Sequence, residues 1–143
     1  MSVQAIFKTK GREIYAVSKE AKLREAIAML NEKNIGVVLI TDSSGKLAGI
    51  LSERDIVRRS LLQETGFRDE PVTKSMTKNV LTVAPSTTID EVMEVMSNSR
   101  IRHVPVLDGD NIVGLISIGD IVKRKIAVAE NEAAAMRDYI TAG

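Results

Sequence analysis

The apolar positions of this chain fall into two alternating rhythms. Leu23, Ile27 and Leu30, and later Ile89, Val92, Met93 and Met96, recur at the three-to-four spacing of a helix that buries one face. They predict amphipathic helices over 23–33 and 89–97. Shorter apolar runs without that period lie at 14–17, 36–41 and 47–51, and again at 80–83, 103–107 and 112–116. Runs of this length predict strands, and their near-continuous apolarity predicts a sheet covered by helices. Asp42-Ser43-Ser44-Gly45 and Asp108-Gly109-Asp110-Asn111 are turn sequences that join the second and third strand of each set. A further helix is expected to open at Ser52 and another at Ser117. An Ala-rich stretch over 127–140, carrying Val128, Met136, Tyr139 and Ile140, is helical by pattern. It either extends the preceding helix into a partner-contacting arm or packs back on its own chain.

The two sets of elements are copies of one another. The segment beginning AIAMLNEKNIGVVLITD and the segment beginning VMEVMSNSRIRHVPVLD match at Ile35 with Ile101 and Asp42 with Asp108, and Glu25 and Glu91 stand immediately before them. After a one-residue gap in the turn, where an indel is cheapest, Gly49 matches Gly114, Ser52 matches Ser117 and Asp55 matches Asp120. The expected organisation is a first repeat over 8–62, a linker over 63–75, a second repeat over 76–126 and a helical extension over 127–143. The linker is polar but too short to separate independent domains, so the repeats should pack on each other.

Composition narrows the possible chemistry. The 143 residues are 44% hydrophobic, enough for an ordinary core, and they include no cysteine. No disulfide framework or thiolate site is available, and a cytoplasmic location fits. No apolar run suits a signal peptide or a membrane span. With 20 Lys and Arg against 19 Asp and Glu, the net charge of +1 gives no general attraction to nucleic acid or anionic lipid. Aromatic residues are 3% of the chain, so stacking platforms for single strands are not expected. The one histidine, His103, cannot make a two-histidine metal site, and no metal site is expected beyond carboxylates holding Mg²⁺ alongside a bound phosphate. There is no Ser-His-Asp or paired-carboxylate arrangement and no P-loop or dinucleotide fingerprint, so catalysis is not expected.

The sharpest motifs are GILSERDIV and GLISIGDIV, each at the end of an apolar strand and the start of a helix. The N-H groups and positive dipole of such a junction attract phosphate, a serine there can add a hydrogen bond, and an aspartate three residues on can accept from vicinal ribose hydroxyls. Ser-x-x-Asp is equally a capping box, which closes a helix end and needs no ligand. Arg54, Arg58, Arg100, Arg102 and Lys123 lie near these junctions and suit phosphate by charge. Solvated helix faces are the competing reading for Arg59, Lys123, Arg124 and Lys125. Met29, Met93 and Met96 are expected in the core.

The duplicated strand, helix, two strands, G-h-h-S-x-x-D and helix, together with IRHVPVLD in the second copy, resemble a tandem pair of CBS domains, the cystathionine-β-synthase type known as a Bateman module. The resemblance covers about residues 10–126. It implies an α/β (α+β) fold of two β-α-β-β-α units with pseudo-two-fold symmetry and two clefts that bind AMP, ADP, ATP, NAD(H) or sometimes S-adenosylmethionine. Within it the ribose-binding aspartate falls on Asp55 and Asp120 and the phosphate-contacting hydroxyl on Ser52 and Ser117. Adenine contacts fall on Gly36 and Val37 with Tyr15 in one copy, and on Arg102 and His103 with Asn79 and Leu81 in the other. Arg54, Arg58, Val104, Pro105 and Gly119 complete the expected ligand-binding set. His103 either binds phosphate when protonated or packs beside the sheet. The copies differ at Glu53-Arg54 against Ile118-Gly119, and at Gly36-Val37 against Arg102-His103, so the clefts are expected to be unequal, with the one bearing Arg102-His103 favoured if only one functions. The resemblance further implies a homodimer that reports adenine nucleotide levels to an unidentified protein. A ligand-free assembly scaffold and an S-adenosylmethionine binder are the alternatives.

Overall fold

A computed structural model describes residues 1–142. In chain order the elements are α1 (Val3–Lys10), β1 (Ala16–Ser18), α2 (Leu23–Lys33), β2 (Val37–Thr41), β3 (Leu47–Ser52) and α3 (Glu53–Leu62). Two short 3₁₀ turns follow, at Phe67–Asp69 and Val72–Lys74, and then α4 (Ile89–Ser99), β4 (His103–Asp108), β5 (Asn111–Ser117) and α5 (Ile118–Ala142). The first unit carries a sheet ordered β1-β2-β3, with β1 parallel and β3 antiparallel to β2. The second unit carries the antiparallel pair β4-β5. These are the mixed α/β units expected from the repeat. No helix among the described residues is long and apolar enough to cross a membrane.

Helical spacing places Leu23, Ala26 and Leu30 of α2 in one core, and Ile89, Val92 and Met96 of α4 in the other. Met93 departs from the expectation. It lies one residue past the buried Val92, on the flank of the stripe, and is 38% exposed. Both helices end on a residue in the left-handed region, Asn34 at φ 53° and Arg100 at φ 55°. Asparagine suits that conformation; arginine does not.

The strand expected over 80–83 does not form. In the first unit the Leu39 N-H donates to the Tyr15 carbonyl, which zips β1 onto β2. Pro105 stands at the equivalent position of β4 and has no N-H to donate. Only a parallel bridge between Val83 and Val106 remains, made by Val83 N-H to the Pro105 carbonyl and Leu107 N-H to the Val83 carbonyl. Residues 79–81 are thereby released from the sheet.

The segment ahead of each repeat packs on the other repeat. Val3, Ile6 and Phe7 of α1, which the apolar pattern did not single out, complete the core of the second unit. Val72 and Met76 complete the core of the first, and Ile50 and Thr77 exchange backbone hydrogen bonds of 3.1 and 2.9 Å. The expected linker thus contributes a fully buried side chain. Two matched glycines mark the crossings: a Cβ on Gly49 would sit 2.6 Å from Met76 Sδ, and one on Gly114 would collide with the Phe7 ring.

Candidate functional site

At the start of α3, Ser52 is the N-cap. Asp55 Oδ2 accepts from the Ser52 N-H at 2.9 Å and from Ser52 Oγ at 3.0 Å, while the Asp55 N-H donates to Ser52 Oγ at 3.2 Å. The capping reading of Ser-x-x-Asp is therefore realised in the structure. It uses only one carboxylate oxygen. Nothing binds Asp55 Oδ1 among these hydrogen bonds, and Asp55 makes no ion pair among the described residues.

This corner opens into a cavity of about 700 Å³ between the two repeats. That size suits a small organic ligand. The first repeat contributes Gly36, Val37, Ser52, Arg54, Asp55 and Arg58; the second contributes Asn79, Leu81, Arg102 and His103. The repeat predicts these residues in two clefts, but packing of the repeats joins them in one. Arg54, Arg58, Arg100 and Arg102 all line it, and none forms an ion pair among the described residues. Against them stand the carboxylates Glu53 and Asp55, so the wall carries excess positive charge. Gly36 leaves the mouth open, since a Cβ there would lie 4.0 Å from the nearest neighbouring atom, Glu53 Oε2.

Burial holds the pKa of His103 below the usual imidazole value; Asp120 opposes this, and Lys10 and Arg102 reinforce it. The side chain sits where the cavity meets the second repeat.

The matching corner at the start of α5 is closed. Asp120 Oδ2 accepts from the Ser117 N-H at 2.8 Å, as in the first repeat, but it also lies 2.6 Å from Lys10 Nζ, which donates to the Leu115 carbonyl at 2.9 Å. Burial disfavours the charge on Asp120, yet the Lys10 ammonium and the Ser117 donors outweigh it and hold the carboxyl below its ordinary range. Asn79 lines the cavity with the first corner and holds the position that Lys10 holds for the second: it lies three residues after Met76, and Lys10 three after Phe7. Asn79 brings no charge, so Asp55 stays unpaired where Asp120 is neutralised.

Six expected site residues lie outside the cavity lining. Ser117, Gly119 and Asp120 sit at the closed corner, and Val104 and Pro105 are buried in β4. The Tyr15 hydroxyl donates to Glu13 at 2.7 Å, and the ring lies under the Lys33 ammonium. Lys123 is likewise outside. Arg59, expected on a solvated face, donates through Nε to Glu70 at 2.9 Å and ties α3 to the inter-repeat segment. Ile50, Thr77, Val80, Ser99 and Ile101 also line the cavity, and no sequence motif points to them as site residues. Ile101 and Ser99 flank the arginines that were noted, but Thr77 reaches the site through its bridge to Ile50, for which no local pattern exists.

The CBS domain family profile matches residues 9–62 and 71–127. The chain belongs to the CBS domain family. As a CBS pair it is similar to a CBS-domain protein of Burkholderia ambifaria, with 43% identity and a TM-score of 0.82 over 89% of this chain and 95% of that one. It is similar to the CBS domain pair of protein MJ0100 in complex with 5′-methylthioadenosine and S-adenosyl-L-methionine, at 28% identity and a TM-score of 0.77, covering 89% and 97% of the two chains. A CBS domain protein from Pyrobaculum aerophilum complexed with AMP matches at 25% identity and a TM-score of 0.75, covering 84% of this chain and 89% of that one.

Proposed function

We propose that this CBS pair is a non-catalytic regulatory module that binds one adenine nucleotide per chain, AMP, ADP, ATP or NAD(H), in the cavity between its repeats. The observation that carries the reading is the convergence of Arg54, Arg58, Arg100 and Arg102, none in an ion pair among the described residues, on one cavity beside Asp55, whose Oδ1 takes no part in the helix cap. Phosphate pairs with guanidinium groups by charge and by fork geometry. The free carboxylate oxygen of Asp55 is an acceptor for ribose hydroxyls, and Val37, Leu81 and Ile101 supply apolar surface for a base. Relatives complexed with AMP and with adenosyl compounds support an adenosine-type ligand. Four arginines disfavour a sulfonium cation, so the phosphate-bearing ligand is preferred here to S-adenosylmethionine.

The Lys10–Asp120 pair supports a single site, in contrast to the two clefts the repeat suggests. Exposed Val57, Leu61 and Leu62 of α3, with Val122 and Ile126 of α5, leave matching apolar stripes on the two repeats, which supports a homodimer. Calorimetric titration with AMP, ATP and NADH tests the reading. The expected result is one site per chain, with affinity falling in the order set by phosphate count when Arg54 or Arg102 is replaced by Ala. Failure of all three ligands to bind at millimolar concentration overturns it in favour of an assembly scaffold.

A further inference from the structure

Helix α5 is 25 residues, about 38 Å, and far longer than α3, which occupies the same place in the first repeat. Its inner face ends early. Ile121 is buried and Val128 is half-buried, but from Ala129 to Ala142 every residue except the half-buried Ala134 is exposed. Along the outer face Val122, Ile126, Ala129, Ala133, Met136 and Ile140 follow one another at intervals of four, three, four, three and four. This is a strict 3.5-residue repeat, the pattern of a two-stranded seam and not of a helix packed on a globular core. It is also wet: Val122, Ile126, Met136 and Ile140 are 48%, 53%, 62% and 70% exposed.

The charges beside the seam choose its partner. With Ile126, Ala133 and Ile140 at the a positions and Val122, Ala129 and Met136 at d, the flanking g positions hold Lys125 and Glu132 and the e positions hold Lys123, Glu130 and Arg137. In a parallel, in-register pair of identical helices each g residue meets the e residue five further along the other helix. Lys125 then meets Glu130 of the second copy, and Glu132 meets its Arg137. The antiparallel pair that fills every layer instead sets Glu130 on Glu130, Glu132 on Glu132 and Lys123 on Arg137. We propose that the α5 helices of two copies of this chain pair along this seam as a parallel, in-register coiled coil.

The proposal rests on the homodimer reading and adds its orientation and register. Lys125 already pairs with Asp90 at 2.6 Å, but both groups are largely exposed, and an ion pair of that kind gives way or is shared at small cost. The alanines at Ala129 and Ala133 weaken the seam while letting the helices approach closely, and the packed first turns of α5 fix the helix in place for the rest.

The chain has no cysteine, so single-cysteine variants of the full-length protein report contacts without interference. Met136→Cys, at a d position, is expected to form a disulfide-linked dimer under mild oxidation with diamide, and Asp138→Cys, on the far face, is not. Glu132→Lys is expected to weaken self-association on the order of tenfold, and Glu132→Lys with Arg137→Glu to restore it. A Met136→Cys protein that links only to Ile126→Cys shows an antiparallel pair and overturns the proposal. An unaffected dimer with no link at 136 also overturns it, while leaving the homodimer on the α3 and α5 stripes standing. A sedimentation profile that stays monomeric at high micromolar concentration removes both.

Discussion

Replacing Arg100 by Asn should raise the stability of the empty protein and lower its affinity for phosphate-bearing ligands. Arg100 caps α4 at φ 55°, a conformation that costs an ordinary residue roughly 1 kcal/mol or more. Asparagine adopts it readily, and Asn34 does so at the matching end of α2. The backbone bonds of this cap, from the Arg100 and Ile101 N-H groups to the Met96 carbonyl, do not use the side chain. The side chain lines the cavity and forms no ion pair among the described residues, so no such pair is lost with it. A gain of about 0.5–1 kcal/mol follows, which in a chain of this size raises the melting temperature by roughly 2–4 °C. With ligand the sign reverses, because a charge-assisted hydrogen bond to phosphate is worth about 1.5–3 kcal/mol, or roughly ten- to hundredfold in Kd. Differential scanning calorimetry without and with saturating ATP reads both effects in one series. Adenosine, which has no phosphate, should bind both proteins alike. A fall in the melting temperature of the ligand-free variant would refute the strain argument. An unchanged ATP affinity would remove Arg100 from the phosphate site.

Asp55→Asn keeps the capping geometry but loses the charge that strengthens a ribose contact, so nucleotide binding should weaken by about 1.5–3 kcal/mol in calorimetric titration, whereas Asp120→Asn should leave it unchanged. Equal losses at both positions would mean that the Lys10–Asp120 corner opens in solution. Gly114→Ala forces Phe7 from its seat and should cost about 1–3 kcal/mol in urea unfolding. Gly119→Ala, at a helical site with 3.5 Å of clearance, should gain a few tenths to 1 kcal/mol. Lys10→Met should destabilise the protein by about 1 kcal/mol at pH 7. Since the folded-state pKa of Asp120 is depressed, that contribution is present above the ordinary aspartate value near 3.8 and disappears as the pH falls through the lower folded value. Wild type and variant should therefore converge in acid, as unfolding curves across that range would show.

The repeat, its helices and most of its strands were legible because burial on one face imposes a period on the sequence. Leu23, Ile27 and Leu30 announce α2, although Ala26 is buried more fully than Ile27, and the run from Val37 to Ile40 announces a strand covered on both sides. The Ser-x-x-Asp corners and the arginines around them were legible for a similar reason, since helix caps are local chemistry written within four residues. Pro105 was also in plain view, but its effect was not: only with β1 and β2 as a template does its missing N-H explain why residues 79–81 leave the sheet and face the cavity.

Tertiary structure alone decided which corner stays open. The two Ser-x-x-Asp motifs are near equivalents in sequence, and the pair at Arg102-His103 pointed to a site in the second repeat. In the fold those side chains face Asp55 of the first repeat, while Asp120 is closed by Lys10, 110 residues away along the chain. The same holds for Phe7 over Gly114 and Met76 over Gly49, where the segment before each repeat crosses to the other. Periodicity records how a residue faces its own helix or strand. It carries no mark of which distant segment covers that face, because such a contact is selected by shape and charge only after both elements have formed and packed.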